Sequence, residues 1–214
     1  MKFKEPTKIC KLCFKTIEEY TLSNVVNNFE VCSRCYEDIV PKFTKFKIDN
    51  IKALAVYDYD EKIQSLIYQL KGCFDIEIAK LFLERFKREL RIRYWGYVIV
   101  PIPSYKQDDE IREFNHVAEL FKSLKMTTLE ILEKTQKFKQ ALNTKSERKN
   151  IKKYLSLKET PDLSHKKVLL VDDVYTTGST MKAAIELIKT LNPKKIEVLV
   201  ISKTIFKPEN AIKT

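Results

Sequence analysis

Glycine is almost absent from this chain, with 3 in 214 residues, at positions 72, 96 and 178. A chain that avoids glycine keeps one where the backbone must approach a ligand or turn with positive φ, so each of the three marks a position to explain. No window of about 18 uncharged apolar residues exists, and no transmembrane helix is expected. The first residues, Met-Lys-Phe-Lys-Glu-Pro, lack an apolar core, so no signal peptide is expected either. These absences point to a cytoplasmic protein and leave peripheral membrane contact open. Internal repeats, long low-complexity tracts and a helix-turn-helix signal are also missing. Histidine occurs twice, at 116 and 165.

Acidic residues are outnumbered, 29 against 40 Lys and Arg, which gives a net charge of +11 and a pI near 9.3. Such a balance suits nucleic acid or an anionic membrane as a partner, or reflects a diffuse lysine bias. The charge is also clustered. Between Lys134 and Lys153 lie eight basic residues (Lys134, Lys137, Lys139, Lys145, Arg148, Lys149, Lys152 and Lys153) against the single acid Glu147. Phe138 and Tyr154 border this run and could stack on bases or serve as core. The apolar fraction of 44% suits one medium globular domain plus a small one.

Four of the five cysteines form two C-x2-C pairs, Cys10/Cys13 and Cys32/Cys35, eighteen residues apart. That spacing closes a tetrahedral four-thiolate zinc site from two turns. A cytosolic chain should not hold two disulfides, and the flanking segment has too few apolar residues for its own core, so metal would supply folding free energy. Redox use of one pair is the alternative. Four thiolates leave no open coordination position, which makes the zinc structural. Cys73 is a spectator thiol. Residues 1–48 are therefore expected to form a small zinc domain, with 41–47 as a linker and 49–214 as a second domain.

In the second domain, 53–59, 97–100, 168–171 and 196–202 carry strand patterns, and 129–132 a short one. Helical spacing runs over 61–71, 76–90, 115–124 and 181–191. Strands alternating with helices imply an α/β fold with a mostly parallel, doubly wound sheet. Residues 106–113 are highly polar and read as a loop. His116 could be a general acid or base, or a surface histidine at a helix start. His165 receives no role.

The most informative segment is Val168-Leu169-Leu170-Val171-Asp172-Asp173-Val174-Tyr175-Thr176-Thr177-Gly178-Ser179-Thr180. An apolar strand ends in two carboxylates, then hydroxyl residues and a glycine, then a helix. The unpaired N–H groups of a first helical turn can hold a phosphate, with the hydroxyls of Thr176, Thr177, Ser179 and Thr180 as added donors. Asp172 and Asp173 could accept from vicinal sugar hydroxyls. A phosphorylated-sugar site at the carboxyl end of a strand is expected, where open α/β sheets bind ligands. The alternative is an ordinary strand–turn–helix with Asp as a cap.

These thirteen residues resemble the 5-phosphoribosyl-1-pyrophosphate (PRPP) motif of type I phosphoribosyltransferases. By that resemblance Asp172 and Asp173 contact the ribose, and Thr176, Thr177, Gly178, Ser179 and Thr180 cradle the 5′-phosphate. Further segments narrow the resemblance to the ComF/ComFC family of natural transformation, which joins a four-cysteine zinc finger to such a domain. They are Leu70-Lys71-Gly72, Val100-Pro101-Ile102-Pro103, Arg112-Glu113-Phe114-Asn115-His116, Gln140-Ala141-Leu142 and Arg148-Lys149-Asn150. Glu113 stands where the family has Gly and His116 where it has Gln. The Gln–Leu and Arg–Asn spacings are each one residue short.

The resemblance implies a PRPP-binding protein that handles single-stranded DNA during uptake, with Mg²⁺ accompanying PRPP. Breaking the bond from ribose C1 to pyrophosphate builds negative charge on the leaving group, which cations stabilise. Lys71, Pro103, Ser104, Lys106 and Arg112 are the candidate pyrophosphate contacts. Lys137, Lys139, Lys145, Arg148, Lys149, Lys152 and Lys153 are the candidate DNA contacts. A competence helicase partner is implied by the family alone, and peripheral contact with the inner membrane stays open. A working phosphoribosyltransferase with an unidentified acceptor is the alternative, because no base-recognition element is evident.

Overall fold

The computed structural model describes residues 8–17, 30–73, 75–104, 114–134 and 155–205. The first helix among the described residues, α1 (Ser33–Asp38), belongs to the cysteine segment. Strands β1 (Thr44–Ile48) and β2 (Ile51–Asp58) form an antiparallel hairpin. Helix α2 (Glu61–Gly72) follows, capped by the Asp60 side chain, which accepts from the Ile63 N–H at 2.9 Å. Two short helices, α3 (Ala79–Leu83) and α4 (Lys87–Arg93), lead to β3 (Tyr97–Pro101). Then come α5 (His116–Lys122), β4 (Leu132–Lys134), β5 (Leu155–Leu157), β6 (Lys167–Tyr175), α6 (Ser179–Lys189) and β7 (Lys195–Lys203).

The main sheet has the order β1-β2-β7-β6-β3. All its pairs are parallel except β1–β2. The central strands are apolar on both faces, as a sheet covered on both sides requires. On β6, Leu169 and Val171 pack with Leu66 and Leu70 of α2 and with Val117 and Phe121 of α5. Val168 and Leu170 point the other way, to Met181, Ala184 and Ile188 of α6. The mostly parallel, doubly wound architecture expected from the sequence is therefore the one observed. Pro101 ends β3 at the sheet's edge, where its missing N–H costs no ladder bond on the inner side.

Three local expectations change. The stretch expected as a linker contributes β1, whose Thr-Lys-Phe-Lys-Ile sequence alternates exposed lysines with covered residues, the pattern of an edge strand. The single helix expected over 76–90 is broken by 3₁₀ turns at Ile76–Ile78 and Glu84–Phe86. In the second turn Arg85 lies over the Tyr36 ring at 4.0 Å and donates to the carbonyls of Tyr36 and Ile39 at 3.3 and 3.2 Å, clamping the cysteine segment to the α/β body. The stretch 129–132 supplies β4 only from Leu132, while Leu129 N–H and Thr127 O bond to Ile99 beside β3.

Replacing Arg85 with alanine removes two charge-assisted hydrogen bonds and a cation–π contact. A loss of about 2 kcal/mol is expected, read from the denaturant midpoint. Faster alkylation of the four clustered thiols should accompany it.

Candidate functional site

Four features meet at the carboxyl end of β6. The strand runs on to Tyr175, so the acidic pair lies within its last turn of pleat and not beyond it. Adjacent strand residues face opposite sides. Asp173 continues the row of Leu169 and Val171 and meets α2 and α5. Asp172 continues the row of Val168 and Leu170, toward the side of Lys134 on β4.

Asp173 is buried, and an unpaired charge there would be expensive. Its Oδ2 receives the Lys71 ammonium from the end of α2, and lies 3.1 Å from His116 Nε2 at the start of α5. Its Oδ1 accepts from the Val174 N–H at 2.6 Å. Burial alone would raise this carboxyl, but Lys71 and His116 overcome that and hold it well below the usual carboxylate range. Asp172 has no such ion pair among the described residues, though Lys134 and Lys71 both act to lower it. Burial and the neighbouring Asp173 charge push it up to about 7.

His116 is 5% exposed, which removes the surface-histidine alternative. Its other nitrogen, Nδ1, lies 2.9 Å from Ser104 Oγ, so a continuous chain links Asp173, His116 and Ser104. Asn115 caps the helix that carries the histidine, accepting from the Ala118 N–H at 2.9 Å. Ser104 follows Pro103 at the end of β3, whose pairing with β6 is prolonged by Ile102 N–H donating to Val171 O at 2.8 Å. The structure thus brings Lys71, Pro103 and Ser104 to the same end of the sheet as the acidic pair.

The phosphate-loop candidates lie beside them. Gly178 adopts φ 75° and forms the N-cap of α6, with no side chain capping that end. The first-turn N–H groups of an uncapped helix are free for an anion. Gly178 is required twice over: by its positive φ, and because a Cβ there would lie 2.2 Å from the Tyr175 hydroxyl. The Tyr175 ring is itself braced on Phe46 of β1, with centroids 4.9 Å apart. Thr176 and Thr177 are exposed, and Thr177 Oγ1 lies 3.1 Å from Ser179 Oγ. Lys106, Arg112 and the basic candidates Lys137, Lys139, Lys145, Arg148, Lys149, Lys152 and Lys153 lie outside the described residues.

The cysteines form a second centre. The Sγ atoms of Cys10, Cys13, Cys32 and Cys35 all lie within 4.8 Å of one another, and Cys13 and Cys32 are 3.8 Å apart. Tetrahedral zinc–thiolate bonds of about 2.3 Å set sulfurs about 3.8 Å apart, so the donor set fits a metal such as zinc. The first pair sits on a tight turn closed by Phe14 N–H to Cys10 O at 2.8 Å, and the second opens α1. The Cys32 N–H donates to Cys10 Sγ at 3.3 Å. Burial would raise the Cys10 thiol, but backbone donors from Cys32, Cys13 and Leu12 bring it down to about 7. Burial and the neighbouring sulfurs push Cys35 well up. Cys73 stands apart and exposed.

The sequence could not show what His116 and Lys71 do, because each meets a carboxylate more than fifty residues away. Strand alternation was the available signal that Asp172 and Asp173 differ in environment.

The phosphoribosyl transferase domain family matches residues 114–211. A curated relative, the competence protein ComFC of Streptococcus pneumoniae, is 25% identical over 88% of this chain and 84% of its own. The ComFC of Bacillus subtilis is 29% identical over 61% of this chain and 55% of its own. Among solved structures, a hypoxanthine phosphoribosyltransferase from Staphylococcus aureus covers 67% of this chain and 73% of its own, at 15% identity and a TM-score of 0.35, too distant to bear on function. No helix among the described residues is long and apolar enough to cross a membrane.

Two outcomes are expected. Asp172 binds its proton more tightly folded than unfolded, so its contribution to stability is fullest near pH 4 and declines as pH rises toward 7, by at most about 1.4 kcal/mol per pH unit. Urea unfolding of wild type and Asp172→Asn across that range should show the gap and its levelling above pH 7. Purified protein should also carry one metal ion per four-cysteine cluster by elemental analysis, and Cys13→Ser should lose it.

Proposed function

We propose, from the chain's fit to the ComFC family, which its curated relatives, its phosphoribosyl transferase domain match and its cysteine cluster support, that this competence-related, phosphoribosyltransferase-like protein binds PRPP and handles single-stranded DNA in the cytoplasm during natural transformation. One observation carries the PRPP assignment. An uncapped helix N-terminus behind a positive-φ glycine lies at the end of the strand that carries two carboxylates. The loop from Thr176 to Thr180 takes the 5′-phosphate on backbone N–H groups and hydroxyls. Asp172 and Asp173 take the ribose hydroxyls, and Ser104 and Lys71 face the pyrophosphate, with Lys106 and Arg112 added from the sequence. Mg²⁺ would arrive with PRPP and neutralise pyrophosphate charge.

The two acids divide the work. Asp173 is a fixed carboxylate at any physiological pH, pre-set by Lys71 and His116. Asp172 changes charge near neutrality and is the group whose state a sugar or cation can bias. Zinc in the four-thiolate centre is structural, since all four positions are protein sulfurs. The net charge of +11 and the competence relatives support single-stranded DNA as the polyanion, with the basic run from Lys137 to Lys153 as its contact, and a competence helicase as the protein partner.

A second function, a working phosphoribosyltransferase with an unidentified acceptor, is favoured by the buried His116 paired with Ser104, which supplies a proton-carrying group beside the pyrophosphate turn. Pyrophosphate release from PRPP with a panel of bases separates the two.

The deciding experiment is a calorimetric titration of Mg²⁺ and PRPP into wild type and the double variant Asp172→Ala/Asp173→Ala. Saturable binding to wild type that vanishes in the double variant is expected. A folded, metal-loaded wild type that takes up no PRPP would refute the assignment.

A further inference from the structure

The protons along the chain from Asp173 through His116 to Ser104 can be placed from charge. Asp173 carries none, because Lys71 and His116 together hold its carboxyl ionised. The hydrogen in the 3.1 Å contact therefore belongs to His116 Nε2, which donates to Asp173 Oδ2. A neutral imidazole with its hydrogen on Nε2 keeps a lone pair on Nδ1. The 2.9 Å contact at Nδ1 is then the Ser104 hydroxyl donating its proton to the ring. Carboxylate, base and hydroxyl stand in the order and at the spacing of an activated serine nucleophile.

The backbone holds Ser104 ready for attack. Pro101 and Pro103 fix φ on either side of Ile102, whose side chain is buried and whose N–H donates to Val171 O at 2.8 Å. Ser104 follows this brace and is half-buried, so it meets the histidine and still has access to solvent. When Nδ1 takes up the hydroxyl proton, the imidazolium forms against the Asp173 charge and is stabilised by it. Lys71 and the uncapped start of α6 lie at the same end of the sheet, and both favour an anionic electrophile over a neutral ester.

We propose that Ser104 is a nucleophile for phosphoryl transfer, with His116 as its base, and that it takes the terminal phosphoryl group of PRPP. The proposal rests on the reading that PRPP occupies this site. Ser104 Oγ forms a bond to the terminal phosphorus, and the bond from that phosphorus to the bridging oxygen breaks. The electron pair stays on the bridging oxygen, which leaves as the 1-phosphate of ribose 1,5-bisphosphate. The hydroxyl proton moves to His116 Nδ1 and from there to the departing phosphate. Water then attacks the phosphoserine, giving one proton to Nδ1, and Ser104 Oγ takes that proton back as orthophosphate departs. The net reaction consumes one water and cleaves a phosphorus–oxygen bond. Phosphoribosyl transfer would instead cleave the bond to ribose C1 and release pyrophosphate.

The test incubates the full metal-loaded chain with PRPP and Mg²⁺ in water enriched in heavy oxygen, beside a calorimetric titration of the same ligand. Orthophosphate carrying the heavy oxygen, ribose 1,5-bisphosphate and an acid-quenched protein with one phosphoryl group on Ser104 are expected. Ser104→Ala should abolish orthophosphate release. His116→Gln keeps hydrogen-bonding groups toward both neighbours but cannot take up a proton, and should slow release about a hundredfold or more. Both variants should keep the metal content and melting temperature of wild type. Calorimetric binding with no orthophosphate release overturns the nucleophile and leaves the PRPP reading intact. So does release of pyrophosphate with heavy oxygen at ribose C1, and so does orthophosphate release that survives Ser104→Ala. No calorimetric binding to wild type overturns both.

Discussion

A carboxylate buried at the end of a strand must be neutralised where it stands, and the site is arranged around that demand. Asp173 draws Lys71 from the end of α2 and His116 from the start of α5 onto one oxygen. Through His116 it also fixes Ser104 after β3. Three elements far apart in sequence are thereby held to the tip of β6. Removing one partner of such a group leaves the others uncompensated, which is why this set should act as a unit. Asp172, one residue earlier and on the other face of the sheet, feels Lys71 only at a distance and, raised by burial and by the Asp173 charge, keeps an adjustable charge.

Much of this was legible in the sequence for simple reasons. The apolar run before Asp172 and the polar, single-glycine turn after it switch from strand to helix patterning within a few residues. The cysteine spacing needs no tertiary information, and the cluster forms as spaced. Local signals failed where distant contacts decide. Thr-Lys-Phe-Lys-Ile reads as a polar connector, because three of its five side chains are polar and its strand character depends on the β2 hairpin. The helical pattern over 76–90 is continuous in apolar spacing, yet 3₁₀ turns interrupt it where Arg85 reaches the cysteine segment. His116 looked like a helix-start residue and is one, but its burial comes from a partner 57 positions away.

The chain has two poles of different character. At the carboxyl ends of the strands, charge is balanced within the protein and hydrogen bonds converge. At the amino ends, Ile92 and Trp95 are exposed and Lys195 is paired with Glu197. The doubly wound sheet separates them, so each can change its sequence without disturbing the other.

The contact of Phe46 with Tyr175 carries a consequence for how the molecule can be divided. Tyr175 fills the space above Gly178 and so shapes the turn that follows β6, and Phe46 holds its ring from the edge strand. Cutting the chain after residue 48 to isolate residues 49–214 would strip away that edge strand with the cysteines. The fragment would keep every residue of the motif and lose the brace beneath it. A truncation that respects the molecule's joints begins before Thr44, and the turn at Gly178 is in this sense partly the property of the amino-terminal segment.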